Sequence, residues 1–571
     1  MSLLPLLNSR FAAALVAVGA PDAQPLVQAA SRPEFGDYQM NGVMGAAKVL
    51  KLNPRELAQK IIDAVDLAGI ASSLEIAGPG FINIKLDNAF LADRVARALQ
   101  DAHLGVEQSP AQHVMVEYSS VNLAKEMHVG HLRSTIIGDA LARVQAYVGM
   151  NVTRQNHVGD WGTQFGMLVA FLIEQQQEGN ADIALKDLEG FYRRAKARFD
   201  EDETFANTAR DYVVKLQGGD AEVRALWARF VEVSLSHCNA VYQKLNVLLD
   251  DGDVRGESFY NADLPIIVDE LRQQGLLVES EGAQVVFLDE FKNKDGEPQA
   301  SIIQKKDGGY LYSTTDLGAI RFRVRELKID RCLYVVDARQ ALHFQQLFTI
   351  AKKAHFAPDS VSLEHIAFGT MMGEDGKPFK TRSGDVVKLV DLLDEAQQRA
   401  FDLVSEKNPN LDEATRREIA NAVGIGALKY ADLSKSRTTD YIFNWNSMLS
   451  FEGNTAPYLQ YAYTRVKSIF RKVAQYDQNA AIVLTEPAEH ALALELARFS
   501  DVVHAVAKDS QPHLLCAYLY SVATMFSRFY ENCPVNQDGV TNASRLKVCD
   551  LTAKVLATGL DLLGIKVLET M

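Results

Sequence analysis

Two imidazoles separated by a valine and a glycine, His128-Val129-Gly130-His131, stand where the chain passes from an apolar strand-like stretch into a helical one. Imidazole N–H groups can donate hydrogen bonds to charge that develops during phosphoryl or nucleotidyl transfer. Gly130 allows backbone N–H groups to approach a phosphate closely at the start of a helix. Val114 and Val116 mark the incoming strand, and His131 through Ala142 reads as helix. The pair therefore falls at the carboxyl end of a strand, where open α/β sheets bind ligands. Lys125, three residues before His128, adds a cation for ATP phosphates, and Glu117 and Asn122 suit an amine and an amide-type contact. Spacing alone also permits zinc on His128 and His131, but the nearby sequence supplies no third ligand set. Ordinary structural histidines are the remaining alternative.

A second cluster lies in GGYLYSTTDLGAIRFRV, 308–324, where Tyr312 and Asp316 are four residues apart. A helix beginning near Thr314 places Asp316 in its first turn, as a cap or as the partner of a cationic ligand. Tyr312 can pack against the stem of that ligand. The neighbouring Arg321, Arg323, Arg325, Lys328 and Arg331 form either a phosphate-facing patch or a solvated basic helix. Gln340 follows a strand and can recognise polar atoms, while Asp337 either completes the pocket or caps the next helix. The Gly-rich GEDGKPFKTRSGD stretch, 373–385, carries Lys377, Lys380 and Arg382. It reads as a loop that closes cations over pyrophosphate, or as a plain surface turn.

These groups need a scaffold, and 571 residues are enough for three domains. Residues 1–105 form a separate α+β module, with a helix starting at Asn53 and Pro54 and a turn then strand over 78–86. Residues 106–390 form an α/β domain with a parallel sheet and an inserted region at about 180–300. Residues 391–571 read as a helical bundle. There, Tyr461, Arg465, Lys467 and Arg471 lie on one run that offers aromatic stacking and cations to an unpaired RNA, or an aromatic core beside solvated charge. The net charge of −14 gives no global nucleic-acid signature but leaves room for a local basic stripe. Five cysteines without CxxC spacing argue against a disulfide framework and a structural zinc knot. No long uncharged apolar run spans a membrane and no signal-like cleavage pattern follows the first residues, so the cytoplasm is the expected compartment.

In order along the chain, HVGH with HLRST at 131–135, NHVGDWGTQFG at 156–166, YLYSTTDLGAI at 310–320, VVDARQALHFQQ at 335–346, FGTMMGEDGKPFKTR at 368–382 and GNTAPYLQYAYTRVKSI at 453–469 resemble the class I aminoacyl-tRNA synthetases. They are most similar to the bacterial-type arginyl-tRNA synthetases, and RPEFGDYQMN, NPRELA and GPGFINI resemble that family's appended N-terminal domain. The resemblance implies a Rossmann-like class I catalytic domain between a domain that meets the tRNA elbow and a helical anticodon-binding domain. It implies ATP-dependent activation of L-arginine to arginyl-adenylate and transfer to the terminal adenosine of tRNA(Arg). His128 and His131 would then act catalytically with Lys125 and Lys380, and these residues with Gly130 and Lys377 would bind ATP. Glu117, Asn122, Tyr312, Asp316 and Gln340 would line the arginine pocket. Mg²⁺ would accompany the nucleotide, with no metal held by the protein and no structural zinc. A monomer is implied. In place of the usual KMSKS motif the chain has PFKTR, and the family comparison makes Lys125 the compensating cation.

Overall fold

A computed structural model describes residues 2–571 except 124, 178–186, 293, 295, 381–386, 474–475 and 538–539. The chain divides into two compact units, one of residues 110–447 and one of residues 1–109 with 448–571.

The 110–447 unit is organised by five parallel strands in the order Ser362–His365, Arg331–Tyr334, His113–Glu117, Asn151–Val158, Val254–Gly256. From His113–Glu117 the chain first adds strands on one side, then returns to add Arg331–Tyr334 on the other. The order thus reverses between these two strands, and a crevice opens at their carboxyl ends. Register aligns those ends, since Glu117 lies opposite both Gln155 and Tyr334. One cluster of buried side chains joins Met115 and Cys332 to Leu317, Ile320, Phe344 and Leu347 of the Tyr312–Arg325 and Ala341–Lys353 helices.

The Val129–Tyr147 helix is buried nearly all round, as expected of a helix packed both on a sheet and under further helices. Gly138 permits this: a Cβ there would lie 2.1 Å from Cβ of Tyr118. Helices Leu188–Glu201, Glu203–Gly218 and Ala221–Lys244 precede an antiparallel sheet of Val278–Ser280, Ala283–Lys292 and Pro298–Gln304. Leu389–Lys407 and Glu413–Leu433 pack against the Val129–Tyr147 helix, so this unit runs past the expected boundary at 390.

In the other unit, four antiparallel strands run in the order Val27–Ala29, Tyr38–Met40, Phe81–Leu86, Ala71–Ala77. Asn53 caps the Pro54–Ala64 helix by accepting the Arg55 N–H, with Pro54 at its first position. The helices Ala456–Lys472, Pro487–Ala497, Phe499–Asp509, His513–Asn532 and Ala543–Leu562 belong to the same unit. No helix among the described residues is long and apolar enough to cross a membrane.

Candidate active site

His128 occupies the N-cap of the Val129–Tyr147 helix. Its Nδ1 accepts the Gly130 N–H at 3.0 Å, and Nδ1 of His131 accepts the His128 N–H at 3.0 Å, forming a reciprocal capping box made of two imidazoles. The rings are 3.9 Å apart between centroids. An imidazole whose Nδ1 accepts a hydrogen bond carries its proton on Nε2 when neutral. Burial, reinforced by His128, pushes His131 down to about 3, so that ring is neutral at physiological pH. Gly130 is required by the same cap: a Cβ would lie 2.7 Å from Cε1 and 2.9 Å from Nδ1 of His128.

The approach to the cap is strained and tied down. Ser119 and Ser120 hold positive φ values of 68° and 46°. The Ser119 N–H donates to Ser134 Oγ and the Ser120 N–H to Asn156 Oδ1, both at 3.0 Å, which holds this costly backbone in place. The following segment pairs with a distant one. Val129 N–H donates to the Val387 carbonyl and Leu389 N–H to the Met127 carbonyl. Lys125 is exposed, its Nζ 4.3 Å from the centroid of the Tyr192 ring. Asn122 is exposed beside Gly159.

The helix carrying Tyr312 and Asp316 starts at Tyr312, two residues before the expected Thr314, with Leu311 at the N-cap. Asp316 is consequently in the second turn and caps nothing; the four-residue spacing instead sets it beside Tyr312 on one face. Its Oδ2 lies 2.8 Å from Nε2 of His343 and its Oδ1 3.7 Å from Nε2 of His157. The Tyr312 ring packs edge-on against His343 at 4.9 Å. Glu257 faces this group. Burial, then the charges of Asp316 and Asp160, raise it to about 7. Asp160 is itself raised by burial, although it accepts the Ser258 N–H and hydroxyl. Asp316, Asp160 and Glu257 thus stand in one group flanked by imidazoles and a tyrosine, an arrangement whose chemistry suits an organic cation.

Glu117, expected in the arginine pocket, has a partner within the chain. It is 5 % exposed at its strand end and forms an ion pair with Arg323, which also donates from Nε to Gln155 Oε1 at 2.9 Å. A carboxylate this deep requires a cation, and the chain supplies its own. Most of the basic run after Asp316 is likewise paired within the chain. Arg323 is buried, Arg321 and Arg325 share Glu270, and Arg331 pairs with Glu364, so these four arginines are engaged by carboxylates within the chain, while Lys328 is exposed. Asp337 caps the Ala338–Gln340 turn and pairs with Arg339, and Gln340 is exposed at the end of that turn.

Lys377 and Lys380 are exposed on a tight turn. Gly373 N–H donates to the Lys377 carbonyl at 2.7 Å and Phe379 N–H to the Met371 carbonyl at 3.0 Å. Arg382 and the rest of that loop lie outside the described residues. In the other unit Tyr461 is exposed, and Arg465 stacks over Tyr530 at 4.7 Å. Lys467 pairs with the Glu569 carboxylate at 3.4 Å while Arg471 donates to the Glu569 carbonyl at 2.8 Å.

His157, His343, Glu257 and Asp160 escaped the sequence reading. His157 and Asp160 lie in the NHVGDWGTQFG run and His343 in VVDARQALHFQQ, so a signal existed only as motif membership. Glu257 had none.

Comparison with known proteins agrees with this architecture. The model described as tRNA synthetases class I (R), catalytic domain, matches residues 94–445; the arginyl tRNA synthetase N terminal domain matches 6–86, and the DALR anticodon binding domain 459–571. The arginine–tRNA ligases of Laribacter hongkongensis and Chromobacterium violaceum are 67 % and 66 % identical, over the whole of both chains in each case. Among solved structures, the arginyl-tRNA synthetases of Plasmodium falciparum (29 % identity, TM-score 0.86) and Thermus thermophilus (26 %, 0.83) cover the chain completely and are themselves completely covered. The chain belongs to the arginyl-tRNA synthetase family, class I enzymes that activate arginine with ATP and transfer it to tRNA(Arg).

Proposed function

We propose that the carboxylate pocket around Asp316 holds the guanidinium of arginine while His128 and His131 stabilise the nucleotide. The observation that carries this reading is an acidic receptor and a pair of imidazole donors on neighbouring carboxyl-end segments of one parallel sheet. The arginine carboxylate attacks the α-phosphorus of ATP, giving arginyl-adenylate and pyrophosphate. A hydroxyl of the terminal tRNA adenosine then attacks the activated carbonyl and releases AMP. No enzyme nucleophile is needed; alignment and charge stabilisation suffice. Imidazole N–H donors and the lysines Lys125, Lys377 and Lys380 fit phosphate oxygens rather than a bare cation. Mg²⁺ therefore rides on the nucleotide, where it neutralises phosphate charge. Gln340 and Asn122 complete the contacts to the amino acid's polar end. Acting as a monomer in the cytoplasm, the enzyme meets the tRNA elbow with residues 1–105 and the anticodon with helices from Ala456 onward, where Tyr461 is exposed for stacking and Arg465, Lys467 and Arg471 supply cations.

Charging total tRNA with each of the amino acids in turn tests the assignment, alongside ATP–pyrophosphate exchange with and without tRNA. Arginine-only charging supports the pocket; charging with another amino acid overturns it.

Three smaller effects follow. Gly130→Ala displaces the His128 ring and lowers the activation rate about tenfold, ~1.4 kcal/mol of transition-state stabilisation, with an unchanged melting curve as the control. Lys125→Ala removes a phosphate cation and slows pyrophosphate exchange roughly tenfold; near-normal exchange would sink its assignment. The pH response comes from Glu257, raised to about 7. Its ionised form binds the guanidinium, so KM for arginine rises up to roughly tenfold as pH falls from 8 to 6. Because the folded value lies above the ordinary 4.5, the unliganded protein loses this contribution to stability as pH rises from about 4.5 through 7. Arginine should restore it, measurable as a ligand-induced Tm shift that grows with pH.

A further inference from the structure

The helix capped by His128 also carries a buried guanidinium. Arg133 is 2 % exposed, two residues after His131, and its Nε lies 3.0 Å from Oδ2 of the equally buried Asp432 on the Glu413–Leu433 helix. Its two terminal nitrogens donate to the carbonyls of Thr439 at 3.1 Å and Arg437 at 3.3 Å. The group stacks over Tyr441 at 5.2 Å and faces Phe368 at 5.8 Å. A buried ion pair is weak evidence for stability, because desolvation of both charges offsets their attraction.

What this pair holds is more informative. The Arg437 carbonyl that accepts from Arg133 also accepts the Gly369 N–H at 2.9 Å. Asp440 Oδ1 accepts the Thr370 N–H at 2.6 Å, and Tyr441–Ile442 pairs in parallel with Met371–Met372. Met371–Met372 leads directly into the turn that carries Lys377 and Lys380. A continuous path of hydrogen bonds therefore runs from the histidine-capped helix, through Arg133 and the 437–441 segment, to the stem of the lysine turn. Arginine suits the position because one rigid fork serves a carboxylate and two carbonyls at once, which a lysine ammonium on a flexible stem does not.

We propose that Arg133, held by Asp432, is a positioning residue that sets the stem of the 373–380 turn against the His128–His131 cap, so that lysines and imidazoles converge on the same phosphates. The inference rests on the site reading above. Replacing the pair by apolar side chains, Arg133→Met with Asp432→Leu, removes both buried charges together and is often tolerated by a fold, but it also removes the link to the 437–441 carbonyls. Asp440→Ala cuts the other side of the clamp at an exposed residue.

Both full-length variants are assayed by pyrophosphate exchange with tRNA(Arg), varying ATP and arginine separately, and by thermal melting. The expected result is a kcat at least tenfold lower in each, with KM for arginine within twofold of the parent and, for Asp440→Ala, an unchanged Tm. Should the double variant fail to fold, Asp440→Ala alone decides. A kcat within twofold in a folded variant overturns the proposal, as does a loss that appears mainly in arginine KM. Lys380→Ala runs in parallel: if it is slow while the clamp variants are normal, only the clamp is wrong, and if it is normal, the role of Lys380 in the site reading falls and the clamp with it.

Discussion

Asp316→Asn lowers kcat/KM for arginine on the order of 10²- to 10³-fold, about 3–4 kcal/mol, and leaves KM for ATP within about twofold. The expectation follows from what surrounds the carboxylate. Asp316 is the member of the cluster in contact with both His343 and His157, and it sits on the face it shares with Tyr312. An asparagine keeps the shape and one acceptor oxygen but presents an NH₂ group where the guanidinium also presents N–H donors. A charge-assisted acceptor is thereby replaced by a donor facing a donor. Selectivity should change in the same experiment. Citrulline, the neutral isostere of arginine, should be rejected by the parent because it leaves Asp316 and Glu257 without a cation; the variant should narrow that preference by at least tenfold. Steady-state charging at saturating ATP and tRNA measures both. Arginine kcat/KM within threefold of the parent would show that another group carries the recognition.

The same pocket shows what was legible in the chain and what was not. The placing of two imidazoles and a glycine at a strand-to-helix passage was readable because these parts are close in sequence, although the helix starts at Val129 rather than His131 and the cap made by His128 was not foreseen. Tyr312 and Asp316 were readable for the same reason, although the helix starts two residues earlier than Ser/Thr capping predicted. Local signals fail where the partner comes from far along the chain. Glu117 reads as a carboxylate suited to an amine, and its ion pair with Arg323 comes from the Tyr312–Arg325 helix, more than two hundred residues later. Glu257 gains its meaning from Asp316 and Asp160, which reach it from the Tyr312–Arg325 helix and from the turn after Asn151–Val158. The Ala456–Lys472 helix illustrates the limit differently. Its basic and aromatic residues read as a face for RNA or as a core beside solvated charge, yet Lys467, Arg471 and Tyr463 are engaged by Glu569 at the far end of the chain. No window around residue 465 could contain that partner.

A second large effect is expected at His131, where the cap and the chemistry can be pulled apart. The ring does two things with two nitrogens: Nδ1 accepts the His128 N–H, and Nε2 carries the proton that a developing phosphate charge would draw on. Asparagine places its side-chain oxygen near the position of Nδ1 but reaches no further, so His131→Asn keeps the cap and loses the outer donor. Glutamine extends to the position of Nε2 and returns a donor there. The activation kcat should therefore fall on the order of 10²- to 10³-fold in His131→Asn, the usual cost of one preorganised donor, with Tm and arginine KM nearly unchanged. His131→Gln should recover at least part of that loss. The pH profile gives an independent check, because burial holds His131 down to about 3 and a neutral donor has no charge to lose across the working range. Any acid limb between pH 5 and 8 should then persist in His131→Asn and belong to Glu257. If the asparagine variant turns over normally, the imidazole serves only as a cap. If its acid limb disappears, the ring acts by titrating, and the burial argument that keeps it neutral is wrong.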